Sequence, residues 1–178
     1  MCNLQKIISL PKHIQSIVSG SESSYFLFTD GTVASCGRND EGQLGDGTFI
    51  DQVKTFAIIP NKGKIIKLGS GPSSQSVFFV GDDNFVYGAG NNDRYQLGLG
   101  KPGKVAFPSI VAFEDSVFNV LKISSSGSHT VSINELLCTS IPTATPTMTP
   151  TAYPTLSPTI PETNSWLYWG ANEGRGEY

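Results

Sequence analysis

The 178-residue chain has few side chains of types that do chemistry, and their spacing decides what they could do. Its two histidines, His13 and His129, lie far apart and show no ligand spacing, so they do not suggest a zinc site. His129 stands in SGSHTVSI. No serine or cysteine nucleophile is paired with it by pattern, which leaves a structural histidine bonding a neighbouring loop. Residues 98–104, GLGKPGK, have the G-x-x-x-x-G-K spacing of a phosphate loop. Val105 replaces the hydroxyl residue that would hold magnesium, and Pro108 follows where a helix should start, so the stretch reads as a turn before an outer strand. The acidic pairs Asp40-Glu41, Asp82-Asp83 and Glu114-Asp115 are adjacent residues of solvated turns, and none places two carboxylates at glycosidase separation. Cys2, Cys36 and Cys138 are odd in number and widely separated, with neither a disulfide framework nor a metal spacing. Reduced thiols are expected, with Cys36 in a strand. No catalytic residue, cofactor or metal ligand is assigned, and no enzyme is expected.

The elements that carry these residues repeat. Residues 31–47 read GTVASCGRNDEGQLGDG, and residues 84–100 read NFVYGAGNNDRYQLGLG. Gly37 falls on Gly90, Asn39 on Asn92, Gln43 on Gln96, Leu44 on Leu97, Gly45 on Gly98 and Gly47 on Gly100, each 53 positions on (90 − 37). A fixed period of this size marks a solenoid or propeller. Each copy opens with an alternating run that reads as a half-buried strand. Glycine ends the strand, Asn39 or Asn92 follows in a polar loop, and one leucine, Leu44 or Leu97, pins that loop to the core. Upstream, IVSG ending at Gly20 and LGSG ending at Gly71 precede hairpins turning at Asp30-Gly31 and Asp83-Asn84. An Asp-Gly pair between alternating runs is a strong hairpin signal.

A hydrophobic-small-Gly strand, a hairpin, and then G-x-N-x-x-G-Q-L-G-x-G resembles the repeat of the regulator-of-chromosome-condensation (RCC1) family. The resemblance runs from Ile14 to about Ile133 and resumes at Trp166. The first copy, with Gly42, Gln43, Leu44 and Gly45, follows the pattern closely; the second has Tyr95 where glycine is expected. The resemblance implies a β-propeller, complete at seven blades of four antiparallel strands. This chain supplies about two and a half of them: an all-β, partial propeller. The family repeat often carries histidine where His129 stands, and the corresponding positions of the other repeats are expected at Ser23 and Ser74.

Charged residues make up only 15%, with 19 glycines and 11 prolines, which suits a turn-dense all-β chain. A net charge of −3 gives no electrostatic footprint for nucleic acid. No span approaches the ~20 apolar residues of a membrane helix. The first residues lack the apolar run and cleavage site of a signal peptide. A cytoplasmic or nuclear location is expected, or a secreted or cell-surface one if the true N-terminus lies upstream.

The expected organisation places RCC1-like repeats at 1–138, the first over about 14–64, the second over about 65–118 and the third from about 119. The outer strand of the first copy is expected at 53–59 and that of the second at 109–113. Residues 139–163 hold six prolines and nine threonines, too little apolar mass to offset ordering entropy, and predict a disordered, polyproline-like segment. Beyond it, Trp169-Gly170 aligns with Cys36-Gly37 and Asn172 with Asn39. The Pro/Thr segment is therefore read as an insertion in a hairpin of the third repeat, which continues, truncated, over 164–178. Loop closure costs little extra with length, so such a hairpin can survive. Further repeats or another chain would be needed to close the ring. The expected function is a non-catalytic protein-interaction module. The alternatives are guanine-nucleotide exchange on a Ran-like small GTPase, implied by the resemblance alone, and adhesion through a mucin-like stalk.

Overall fold

A computed structural model describes residues 13–60, 63–111, 118–136 and 164–170. The described residues form strands and turns only. Ile14–Ser19 (β1), Ser23–Phe28 (β2), Val33–Gly37 (β3) and Gln52–Ile58 (β4) make one antiparallel sheet in the order β1-β2-β3-β4. Ile65–Gly69 (β5), Ser76–Gly81 (β6), Val86–Asn91 (β7) and Lys104–Ile110 (β8) repeat that order. Phe118–Ser125 (β9), His129–Leu136 (β10) and Asn164–Gly170 (β11) form a third sheet, β11-β10-β9. The Pro/Thr-rich stretch 139–163 lies outside the described residues, as do Asn172 and residues 1–12.

Glycine and asparagine set the hairpins. Gly31 takes φ 83° between β2 and β3, and Asn84 takes φ 65° between β6 and β7. Asp30 Oδ1 accepts the Thr32 N–H at 2.9 Å, the local bond that favours Asp at a turn start. The register is equivalent in all three sheets. Ser23 pairs with Gly37, Ser76 with Gly90 and His129 with Gly170. The position matching His129 is thus Ser76, not Ser74; the two extra residues of the second copy fall before the strand rather than inside it.

Successive sheets pack face to face in chain order, with β5 against β1 and β2, and β9 against β5 and β6. Alternation along each strand supplies both faces. Tyr25, Leu27 and Val33 meet Ile65, Val77, Phe79 and Ala89 between the first two sheets. Phe78, Val80, Val86 and Leu97 meet Val120 and Ile123 between the second and third. Complete burial of one such side chain contributes about 1.5–3 kcal/mol, so these two seams carry most of the core's favourable energy.

Two expectations need correction. The outer strand of the second sheet is β8, beginning at Lys104, five residues before the expected 109–113. Its pairing slips between Gly88↔Ser109 and Gly90↔Val105, so Ala106, Phe107 and Pro108 bulge out. An edge strand with a bulge tolerates the missing N–H of Pro108. Cys36, fully buried in β3, is disulfide-bonded rather than a reduced thiol. Its partner half-cystine lies outside the described residues. Sequence spacing could not reveal this, because a disulfide needs nearness in space only.

Candidate interaction surface

The chain between β3 and β4, and between β7 and β8, makes the same turn at the same end of each sheet. Its frame is a buried asparagine. Asn39 Oδ1 accepts the Leu44 N–H at 2.8 Å, and Asn92 Oδ1 accepts the Leu97 N–H at 2.7 Å. Asn39 Nδ2 also donates to Asp46 Oδ1 at 3.0 Å, Thr48 O at 3.0 Å and Ile50 O at 3.2 Å. Asn92 Nδ2 donates to Lys101 O at 2.7 Å. A side-chain amide both accepts and donates, so it can hold the two strands of such a loop together. The glutamines brace the tips: Gln43 Oε1 accepts the Glu41 N–H and Gln96 Oε1 the Arg94 N–H, at 2.9 and 2.8 Å.

Leu44 and Leu97, both 0% exposed, anchor the loops beneath. Ser35 Oγ donates to Leu44 O at 2.9 Å. Tyr25 donates its hydroxyl to Gln43 O at 2.7 Å, and its burial pushes that hydroxyl's pKa well above the ordinary value. Each loop also reaches the next sheet. Gly47 N–H donates to Ala106 O at 3.0 Å, and Gly45 sits over Phe79 and Ala89. Thr130 Oγ1 donates to Gln96 O at 2.8 Å. These residues therefore fasten one sheet to its successor.

Gly37 and Gly90 adopt φ 119° and 108°, where a Cβ would be driven into the carbonyl oxygens of Glu22 and Gln75. Gly20 and Gly71 lie against the following blade, where a Cβ would meet Ser74 O and Ser125 O. Gly98 turns with φ 66°, as Gly45 does with 68°. Trp169 pairs with Thr130 in β11. His129 Nδ1 shares a 2.9 Å hydrogen bond with Ser126 Oγ in its own hairpin.

Charge sits on the tips. Arg38 donates from Nε and Nη2 to the two Asp40 carboxylate oxygens at 2.7 and 2.6 Å, and from Nη1 to Glu22 Oε2 at 3.1 Å. The hydrogen bonds from Arg38 hold the Asp40 carboxyl below the ordinary range. Lys104 Nζ meets Glu41 Oε1 at 3.1 Å, and Asn91 Nδ2 donates to Glu41 Oε2 at 3.0 Å, both across the seam. Phe49, Ile50 and Tyr95 stand 51%, 67% and 49% exposed among them. Sequence reasoning missed the two seam contacts, Lys104 and Asn91, since their partner is some 50 or more positions away. Among the described residues no group of three His, Cys, Asp or Glu could hold a metal ion. No helix there is long and apolar enough to cross a membrane.

Four-stranded antiparallel sheets stacked in chain order, each fastened to the next by a glycine-rich loop, define blades of a β-propeller. Profiles of the regulator of chromosome condensation (RCC1) repeat match residues 14–43 and 83–133. The Xenopus laevis regulator of chromosome condensation is 31% identical over 115 residues, covering 63% of this chain and 26% of the frog protein. The structure of human WBSCR16 superposes with a TM-score of 0.63 at 22% identity, and that of Saccharomyces cerevisiae Prp20p with 0.60 at 23%. Each covers 71% of this chain and 32% of the solved one. The chain carries repeats of the RCC1 family and spans about a quarter to a third of these relatives.

Proposed function

We infer that the chain is a non-catalytic protein-binding module whose contact surface is the loop end of the blades. The observation that carries this is Tyr95. It holds a left-handed backbone, φ 60°, at the position where the first copy has Gly42 at φ 79°. A bulky residue there costs about 1–3 kcal/mol, and such strain is retained where surroundings or function require the side chain. The Tyr95 side chain is half exposed beside the exposed Arg94. Tyrosine and arginine on a rigid frame are the composition of binding hot spots. The test compares partners cross-linked to the wild-type chain in cells with those cross-linked to Tyr95→Gly. Loss of the same proteins from the variant supports the reading, and an unchanged set overturns it.

A second reading rests on a relative. The Prp20p structure was described together with that protein's binding to Gsp1p and histones. By that likeness the protein containing these blades would accelerate nucleotide release from a Ran-like GTPase, by binding the nucleotide-free state more tightly. A nucleotide-release assay across a panel of small GTPases decides it; no acceleration discards it. A nuclear or cytoplasmic location is part of this reading. Disulfides persist in oxidising compartments, so alkylation of thiols in intact cells is the check: a Cys36 disulfide that survives there would redirect the protein to the secretory route. The boundaries at 138 and 163, with 139–163 as an insertion, are part of this proposal; limited proteolysis confined to that stretch supports them.

A further inference from the structure

Toward the opposite end of the blades, where the strands turn at Gly31 and Asn84, lies a second feature. A cleft of about 410 Å³ opens between the outer strand of the first blade and the second blade. Ile59, Phe79, Tyr87, Phe107 and Ile110 line it, with Asp83 at its mouth. Its walls are built, not incidental. The β8 bulge lays the Phe107 ring over Gly47 of the first blade, and a Cβ on Gly47 would collide with that ring. Val111 N–H donates to Val86 O at 2.8 Å and fixes the end of β8 beside Tyr87. Two of the lining side chains, Phe107 (60% exposed) and Ile110 (54%), leave apolar surface open to solvent at the mouth.

Among the residues that line the cleft, Asp83 is the charged one. Asp83 Oδ2 accepts the Tyr87 hydroxyl at 2.6 Å, and Asp83 Oδ1 accepts the Phe85 N–H at 3.0 Å. These bonds fix the carboxylate in place while its residue stays exposed, and Asp82 is exposed beside it. Tyr87's pKa is pushed up to about 12, by burial first and then by Asp83 and Asp82, so both charges are felt at the cleft. Among the described residues Lys64 is a nearby cation; its stem lies across Gly31 on the first blade. We propose that this cleft binds a partner peptide through one bulky apolar side chain, seated between Phe79, Phe107 and Ile110, with an adjacent lysine or arginine at Asp83 and Asp82. An apolar wall with a few placed polar groups is the usual form of a ligand pocket. Exposed carboxylates at the mouth select the charge of the neighbour more than they add affinity.

The test uses the full chain, labelled with nitrogen-15, titrated with acetylated, amidated tetrapeptides Gly-Phe-Lys-Gly and Gly-Phe-Glu-Gly. The lysine peptide should give saturable shifts at the Gly81, Tyr87 and Ile110 amides and bind about fivefold tighter than the glutamate peptide. Ile110→Asp, at an exposed position, should abolish binding of both with the rest of the spectrum retained. Asp83→Asn should bring the two peptides close to equal affinity, with Asp82 left to maintain a small preference. Should Ile110→Asp disturb the fold, the milder Ile110→Thr trims the same wall and should weaken binding of both peptides. Absence of saturable shifts overturns the site. Equal binding of the two peptides by the wild type overturns the basic-partner assignment.

Discussion

The two repeat loops share a frame and differ in what they lean on. In the first, Gly42 lies so close to Ala106 that a Cβ would come within 2.8 Å of its Cα. The loop is clamped under the outer strand of the next blade. In the second, the equivalent Tyr95 takes the same left-handed turn with a half-exposed side chain. Asn39 ties its loop at four points through its side chain, to residues as far on as Ile50, whereas Asn92 ties its loop at two. The same motif thus serves as a structural clamp in one blade and leaves room for a projecting side chain in the other. A repeat consensus describes the frame both share, not the role of each copy.

The largest effect should come from replacing what the two loops have in common. Gly37→Ala and Gly90→Ala should each cost at least about 3 kcal/mol in urea unfolding, because both the φ and the Cβ contact are forbidden. Equal, small losses would show that the strand ends can relax. Next, Asn39→Ala should cost about 3 kcal/mol and Asn92→Ala about 2, because more buried groups lose partners in the first loop. A reversed order would break the comparison outright.

The exchange at the turn sharpens it. Gly42→Tyr should destabilise by more than about 2 kcal/mol, the new side chain meeting the β8 backbone. Tyr95→Gly should stabilise by about 1 kcal/mol while weakening partner binding. A Tyr95→Gly variant that is less stable would mean the tyrosine is held by packing, not retained at a cost. The seam ion pair matters less. Lys104→Ala should cost under about 1 kcal/mol, diminishing further in high salt, because the ammonium is largely solvated. Smallest is the Arg38–Asp40 pair at the tip. The folded Asp40 carboxyl titrates below its unfolded value, so its contribution is present above about pH 4 and fades as pH falls through the folded value. Asp40→Asn should flatten the acid side of the stability profile slightly, and no change in slope would remove the pair from the account.

Much of the frame was legible because it rests on local rules. The hairpins at Asp30-Gly31 and Asp83-Asn84, the alternation of β2 and β6, and the 53-residue echo follow from turn chemistry and period. The errors fell where a neighbour in space decides. The outer strand is expected only from Ser109 on, after Pro108, yet β8 begins at Lys104 because Ala106 and Phe107 reach the first blade. Cys36 looked like a lone thiol because its partner is remote in the chain. The Ser74 alignment slipped because a two-residue insertion can be placed on either side of a strand until the ladder fixes it.

From the amino-acid order alone came the strand period, the glycines that end each strand, the family resemblance and the partial propeller, since each is read from short local patterns and their recurrence 53 positions on. Which blade a loop grips, that Tyr95 projects where Gly42 is covered, and that an apolar cleft opens beside Asp83 were settled by packing. Those facts depend on side chains about fifty positions apart meeting across a seam, and no local pattern records such a meeting.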